Sequence, residues 1–434
     1  MLTRILHNSP QVCKLFDQVF LPWANAEDDP VFSRPQRRHL INVVDALLVC
    51  QEKKTLAALE RQFVESVDVS NWADCFRISP WRASALREPL KEFLVHQALL
   101  CATSTSGPVP ILVSIDDSLG EKDKSTRHIE PVSWHYDHIE STKKKPRYKN
   151  GLAYVVCTMC VGQIEFTFDI RIYLRQRTVR SINRHRRKDQ RIAFISKTRL
   201  AHQILTELSN LFPKGWPVYV LFDSWYASAR LIKFIRRQGW QAICAVKPNR
   251  KLNGKRIDQH ARTLKHQRYA TVKTTAADGK RTTYWIRSLQ GQLEDVPFPV
   301  CVWVSKRHPR EKSPAYFLST DLTLEAQKTF QWYTQRWSCE VANFYLKTRL
   351  GLADFRVQAY EAVDKWVSVV HLSWAYLQWR LANERSTQLQ TPADLMRRHQ
   401  DEHARTWLIG ACQLAIQEGS VEPVLKHFLR EEMV

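Results

Sequence analysis

The sequence predicts an α/β protein, a mixed β-sheet flanked by helices, with a β-rich insertion and helical N- and C-terminal regions. Three observations carry this expectation. Two apolar, β-branched runs, ILVSIDDS (Ile111 to Ser118) and PVYVLFDSWY (Pro217 to Tyr226), read as buried strands that end in acids. The second is followed by the helical pattern SARLIKFIRRQGW and the buried strand QAICAVKPN, a crossover unit that implies parallel pairing. Leu152 to Val161 and Ile164 to Tyr173 read as two more strands, joined by a hairpin at Val161-Gly162-Gln163.

Size and charge narrow the class. A chain of 434 residues exceeds what one hydrophobic core serves, so the pattern divides into segments at 1–105, 106–249, 250–310, 311–360 and 361–434. The net charge of +22 points to a polyanionic partner, nucleic acid first, although a ribosomal or membrane-surface protein would share it. Ten cysteines, no signal-peptide pattern and no apolar run of about 18 residues fit a reducing, cytoplasmic setting and no membrane. Cys157 and Cys160 form a CxxC, but in a strand positions three apart face opposite sides, so no zinc site is expected.

Taken in order, residues 1–105 are mostly helical. Leu40, Val43, Val44, Leu47 and Leu48 form one stripe, and Leu56, Leu59, Phe63 and Val64 a second; Ser79-Pro80-Trp81 reads as a helix start. Arg34, Arg37, Arg38, Lys53, Lys54 and Arg61 make this region basic, a solvated face or a grip on a polyanion. Beyond the first acidic strand, SWHYDH carries His135 and His138, which in a strand also point oppositely. Arg175 to Arg191 is the densest charge run, leading to a helix expected over Ile192 to Leu211. Arg184, Arg186, Arg187 and Lys188 within it, and Lys247 at the end of QAICAVKPN, are candidate phosphate contacts.

From 250 to 310 the pattern shifts to short strands, YATVKTT, TTYWIRSL and PVCVWVS, with Ala277-Asp278-Gly279 as a hairpin cue. Trp285, Trp303 and Tyr316 are large aromatics there, read first as core packing. AYFLST is expected to return to the core sheet. Phe330 to Leu352 then reads as one long helix. Tyr333, Arg336, Glu340 and Lys347 lie at offsets 0, 3, 7 and 14, within an arc of roughly 60° at about 100° per residue. A carboxylate among Trp332, Trp337, Val341, Phe344, Tyr345 and Leu346 is half buried and must be paired or bind a metal. Arg336 and Glu340, four apart, also suit an ordinary helix ion pair. Val363, Val367, Val370, Trp374 and Leu377 form a packing stripe on a later helix, and Thr391-Pro392-Ala393-Asp394 is a capping box.

Two strand-end aspartates, Asp116 with Asp117 and Asp223, together with helix Glu340 make an all-oxygen donor set suited to a hard divalent cation. The spacing Tyr333-x2-Arg336-x3-Glu340-x6-Lys347, with IDDS, SWHYDH and DSWY, resembles the Tyr-Arg-Glu-Lys signature branch of bacterial insertion-sequence DDE transposases. The resemblance spans roughly residues 30–380. It implies an RNase H-like core, with Asp116, Asp223 and Glu340 as catalytic and metal-holding residues and Mg²⁺ as cofactor, Mn²⁺ substituting. Asp117 is the rival for the first position; the family pattern, Asp, any residue, then Ser or Thr, favours Asp116.

By the same resemblance Tyr333, Arg336 and Lys347 contact phosphates, the N-terminal region binds terminal repeats and C-terminal helices pair two subunits. The expected partners are then terminal inverted repeats and target DNA, in a nucleoid-associated bacterial homodimer. Two other readings use the same residues: a transposase-derived DNA-binding repressor or architectural protein, and an RNase H-like nuclease that does not transpose.

Overall fold

The computed structural model describes residues 9–24, 31–63, 69–104, 107–137, 140–142, 144–264, 268–275, 281–384 and 391–429. His138 and the Ala277-Asp278-Gly279 turn lie outside them. Five helices open the chain: α1 (Pro10–Phe20), α2 (Arg34–Val49), α3 (Leu56–Glu60), α4 (Val69–Arg77) and α5 (Ala83–Ala102). Helix α5 begins after the expected Ser79-Pro80-Trp81 start, because the Trp81 indole turns back to donate to the Cys75 carbonyl at 2.8 Å.

The sheet then forms from β1 (Ile111–Glu121), β2 (Ser133–Tyr136), β3 (Tyr148–Val161), β4 (Ile164–Tyr173), β5 (Val218–Phe222) and β6 (Gln241–Ala245). Strands β1, β3 and β4 are antiparallel, and β5 and β6 run parallel to β1, giving the order β4-β3-β1-β5-β6. This is the RNase H-like mixed sheet flanked by helices. Gly162, at φ 60°, makes the expected turn between β3 and β4, a left-handed conformation that costs glycine little. Strand β2 shares the outer edge of β3 with β4.

The insertion does not form a separate sheet. Strands β7 (Ala270–Thr275), β8 (Arg281–Gln292), β9 (Pro299–Lys306) and β10 (Ala315–Ser319) are successively antiparallel, and β10 pairs with β6, so one ten-stranded sheet runs through core and insertion. Trp303 packs against Phe330 and Tyr316 is buried, so both serve the core; Trp285 is partly exposed.

Between the strands lie α6 (Gln176–Asn183), α7 (Lys197–Leu211), α8 (Ala229–Arg237) and α9 (Ile257–Thr263). Helix α7 starts five residues later than the pattern suggests. Asn183 holds Ile192 extended, its side chain donating to the Ile192 carbonyl at 2.8 Å and accepting its N–H at 2.9 Å, and Ser196 caps the helix instead. The expected long helix after β10 is helical but uneven. Helix α10 (Ala326–Thr334) tightens into a 3₁₀ turn at Gln335–Trp337, continues as α11 (Ser338–Phe344) and widens into a π turn at Tyr345–Arg349. At the tight turn the Ser114 hydroxyl of β1 donates to the Gln335 carbonyl at 3.3 Å, so the break sits where the run meets the sheet.

Helix α12 (Tyr360–Asn383) is buried on nearly every side from Ala362 to Arg380, not along one stripe. It covers the free edge of β4, where His371 donates to the Thr167 carbonyl at 2.7 Å and Gln378 accepts the Thr167 N–H at 2.8 Å. Helix α13 (Pro392–Glu418) opens on the expected Thr391/Asp394 capping box, and α14 (Glu422–Leu429) follows.

On the face of β4 against α5 and α7, the fully buried Asp169 meets Lys91 at 2.8 Å and Arg171 at 2.7 Å, with Arg87 at 3.8 Å; Arg87 also reaches Asp364 of α12. These cations outweigh burial and hold the Asp169 carboxyl far below the usual range. Asp169→Ala, which removes the buried anion shared by Lys91, Arg171 and Arg87 and leaves them Glu207 and Asp364, is expected to lower unfolding free energy by about 3 kcal/mol, read as the urea midpoint at constant m-value.

Candidate active site

Strand alternation sorts the acids of IDDS. Successive side chains of β1 point to opposite faces, so Ser114, Asp116 and Ser118 share the face under α11 while Asp117 lies on the other. Across the parallel pair, the last bonded rung is Ile115 with Phe222, and Asp223 stands one residue further on, in register with Asp116. Neighbouring strands lie about 4.8 Å apart, and the negative charge of Asp223 is felt at Asp116. The turn after β5 fixes Asp223: its Oδ1 accepts the N–H groups of Trp225 at 2.9 Å and Tyr226 at 3.3 Å.

Glu340 arrives from α11 and is joined to Asp116 by Arg336. The guanidinium reaches Asp116 Oδ2 at 2.8 Å and Glu340 Oε1 at 2.7 Å. Burial lifts the Asp116 carboxyl to about 6 against the pull of Arg336, with the charges of Asp223 and Asp117 adding to the rise. Lys347 donates to Ser118 Oγ at 3.1 Å. Tyr333 lies half-buried against Phe317, with its phenol beside Arg336 and pushed upward by burial, so it stays a proton donor. All four signature residues therefore line the Asp116 face, despite the break in the helix. Trp337 and Phe344 turn out to solvent, 61% and 50% exposed.

The remaining candidates separate. Lys247 is exposed beside β6 with its ammonium 5.9 Å from the ring of Trp225, itself 53% exposed, next to Asp223. Arg184, Arg187 and Lys188 are exposed. Arg186 is committed elsewhere: it holds Glu361 of α12 through both carboxylate oxygens, at 2.5 and 2.9 Å, and Glu130 at 3.1 Å. In the N-terminal region Arg37 pairs with Asp17, Arg61 with Glu52, and Lys54 is buried, leaving Arg34 and Lys53 exposed. His135, half-buried, has its pKa lowered to about 4 mainly by desolvation and shares a hydrogen bond with Ser133 Oγ at 3.0 Å.

Two partners of Asp117 escaped the sequence reading. Its Oδ1 accepts the Tyr226 phenol at 3.0 Å and its Oδ2 meets the Lys197 ammonium. The Tyr of DSWY and the period-two alternation of IDDS were the available signal.

The DDE superfamily endonuclease family matches residues 29–287, more than half of the chain. The chain belongs to that family. The match takes in both strand-end aspartates of this DDE endonuclease and ends before Glu340. A solved piggyBac transposase, in a synaptic complex with hairpin DNA, is similar at 14% identity with a TM-score of 0.45, over 94% of this chain and 83% of that one. No curated protein matches the sequence.

Members of the superfamily work with divalent metal ions, and the donor set here fits one. Asp116, Asp223 and Glu340 offer carboxylate oxygens only, the choice of a hard cation, and the buried acid already draws a positive group, Arg336. Among the described residues no three acids, histidines or cysteines stand grouped as a ready-made metal cluster; Arg336 fills the space between two of them.

The raised Asp116 value sets a pH test. The protonated form is favoured in the fold, so this stabilisation is complete below about 3.8 and lost as pH rises through about 6. Asp116→Asn, neutral throughout, should gain on wild type across that window by up to about 3 kcal/mol and hold a constant offset above it, measured by urea unfolding without metal.

Proposed function

We propose that the protein is a DNA transposase of the Tyr-Arg-Glu-Lys branch, cutting transposon ends and joining them to target DNA. The observation that carries this is the convergence of Tyr333, Arg336, Glu340 and Lys347 on the face of β1 that bears Asp116, beside Asp223. Asp116, Asp223 and Glu340 would hold Mg²⁺, with Mn²⁺ able to substitute, which stabilises the attacking and leaving oxygens of a phosphodiester exchange. No side chain acts as a covalent nucleophile.

The chain's own groups do the positioning. Arg336, set between Asp116 and Glu340, would offer a planar fork to the phosphate next to the cut. Lys347 adds a point charge from Ser118, and Tyr333 a hydroxyl donor. Lys247, Arg184, Arg187 and Lys188 follow the duplex outside the site. Terminal inverted repeats and target DNA are the substrates, and a homodimer in a bacterial nucleoid is the working form.

With terminal-repeat DNA and Mg²⁺, Asp116→Ala, Asp223→Ala and Glu340→Ala should each cut at least about a thousandfold slower, some 4 kcal/mol of barrier, with DNA binding retained. Cleavage that survives Glu340→Ala removes this assignment. Binding without cleavage by wild type marks a repressor, and cleavage without joining a simple nuclease. Arg187→Ala and Lys188→Ala should each reduce the slope of log affinity against log salt by about one in fluorescence anisotropy. Arg186→Ala should instead lower the melting temperature, having lost Glu361 and Glu130.

A further inference from the structure

Asp117 is the acid of IDDS that the proposed chemistry does not use, yet its surroundings are as ordered as those of Asp116. Its two oxygens are both taken, one by the Tyr226 phenol at 3.0 Å and one by Lys197 at the first turn of α7. Tyr226 is fully buried and touches both strand ends: its backbone N–H donates to Asp223 Oδ1 at 3.3 Å while its side chain reaches Asp117 on β1. The ladder between β1 and β5 stops at Ile115 and Phe222, so no backbone rung holds Asp223 against Asp116. The phenol–carboxylate bond ties the turn to β1 two residues beyond the last rung.

We propose that Tyr226, Asp117 and Lys197 form a positioning clamp on the reverse face of the sheet, which replaces the missing ladder rung and fixes Asp223 beside Asp116. Asp117 is then a positioning residue and not a cation ligand. Lys197 balances its charge, and the turn residues of DSWY have separate tasks: Asp223 faces the site, Trp225 faces solvent and Tyr226 locks the turn from within. Groups that orient a ligating side chain typically alter metal affinity by about 10–100-fold. The proposal rests on the reading of Asp116 and Asp223 as cation ligands, and part of its test does not.

The variants are Tyr226→Phe, which deletes one hydroxyl, and Asp117→Asn, which keeps an acceptor for the phenol and loses the Lys197 ion pair. Hydrogen–deuterium exchange of full-length protein without metal or DNA reads the turn directly. The amides of Trp225 and Tyr226 should exchange about tenfold faster in Tyr226→Phe, as a local opening about 1.4 kcal/mol easier requires, with β3 and α12 unchanged. Mn²⁺ binding followed by electron paramagnetic resonance should weaken about tenfold, and the Mg²⁺ concentration for half-maximal cleavage should rise alike, the rate at saturation staying near wild type. Asp117→Asn should fall between the two.

Unchanged exchange in Tyr226→Phe overturns the clamp whatever the protein's activity. Faster exchange with unchanged Mn²⁺ affinity, in a wild type that binds Mn²⁺ and cleaves, also overturns it as a positioning device. If Asp117→Asn abolishes cleavage at every Mg²⁺ concentration, as Asp116→Ala is expected to, Asp117 is itself a ligand and the proposal fails. A wild type with neither Mn²⁺ binding nor cleavage defeats the transposase reading instead, and the exchange result alone then decides whether the turn is clamped.

Discussion

Two carboxylates from distant parts of the chain, Asp116 and Glu340, share one guanidinium, and the geometry of the site follows from that sharing. Acids brought together at a half-buried sheet end repel each other and lose solvation, so the fold must bring positive charge with them. Arg336 supplies it from the 3₁₀ turn, within reach of both oxygens. The Ser114 hydroxyl on the Gln335 carbonyl pins that turn to β1, one side-chain position along the strand from Asp116. The unevenness of the helix is thus the local form of an electrostatic requirement: a backbone tightened at Gln335–Trp337 puts the cation over the strand, and the wider Tyr345–Arg349 turn lets Lys347 reach Ser118.

Much of this was legible before the structure. The period-two alternation of β1 puts Asp116 and Asp117 on opposite faces, and the helical spacing of Tyr333, Arg336, Glu340 and Lys347 assigns them to one side. The crossover after Asp223 made β5 parallel to its neighbours, which sets Asp223 in register with Asp116. These features are local, or depend on pairings that short patterns specify. Asp117 was harder. Its partners Lys197 and Tyr226 lie 80 and 109 residues away, and only the Tyr of DSWY and the alternation of IDDS hint at the contact.

The misses have the same cause. Arg186 sits in a charge run like its neighbours, and only the placement of α12 makes it a tie to Glu361 and Glu130. AYFLST returns to the core sheet as expected, but the pattern does not tell that the insertion strands β7 to β9 continue that same sheet through β10, which covers the edge of β6 that would otherwise expose a row of donors and acceptors. Helix α12 shows only a stripe in its hydrophobic spacing. Trp366, Val369, Leu372, Ala375, Tyr376 and Trp379 lie off that stripe and are buried too, while His371 and Gln378 are spent on the Thr167 backbone and Lys365 on the Ser79 carbonyl at 2.7 Å, so the helix is buried all round. Periodicity reports apolar faces and is silent about polar side chains that satisfy distant backbone groups.

The charge balance of the chain also becomes intelligible at the site. A chain of net charge +22 attracts polyanions over its surface, but Asp116, Glu340 and the neighbouring Asp223 would repel a phosphate at the sheet end. Arg336 resolves that conflict only in part, since one guanidinium faces Asp116 and Glu340 together, with Asp223 alongside. On the proposed reading, Asp116, Asp223 and Glu340 would hold divalent cations that complete the neutralisation, so DNA and metal would favour each other's binding. The exposed cations Arg184, Arg187 and Lys188, on the connection before α7, have no such conflict. They would hold DNA whether or not metal is present, whereas groups within reach of Arg336 would engage it only together with metal.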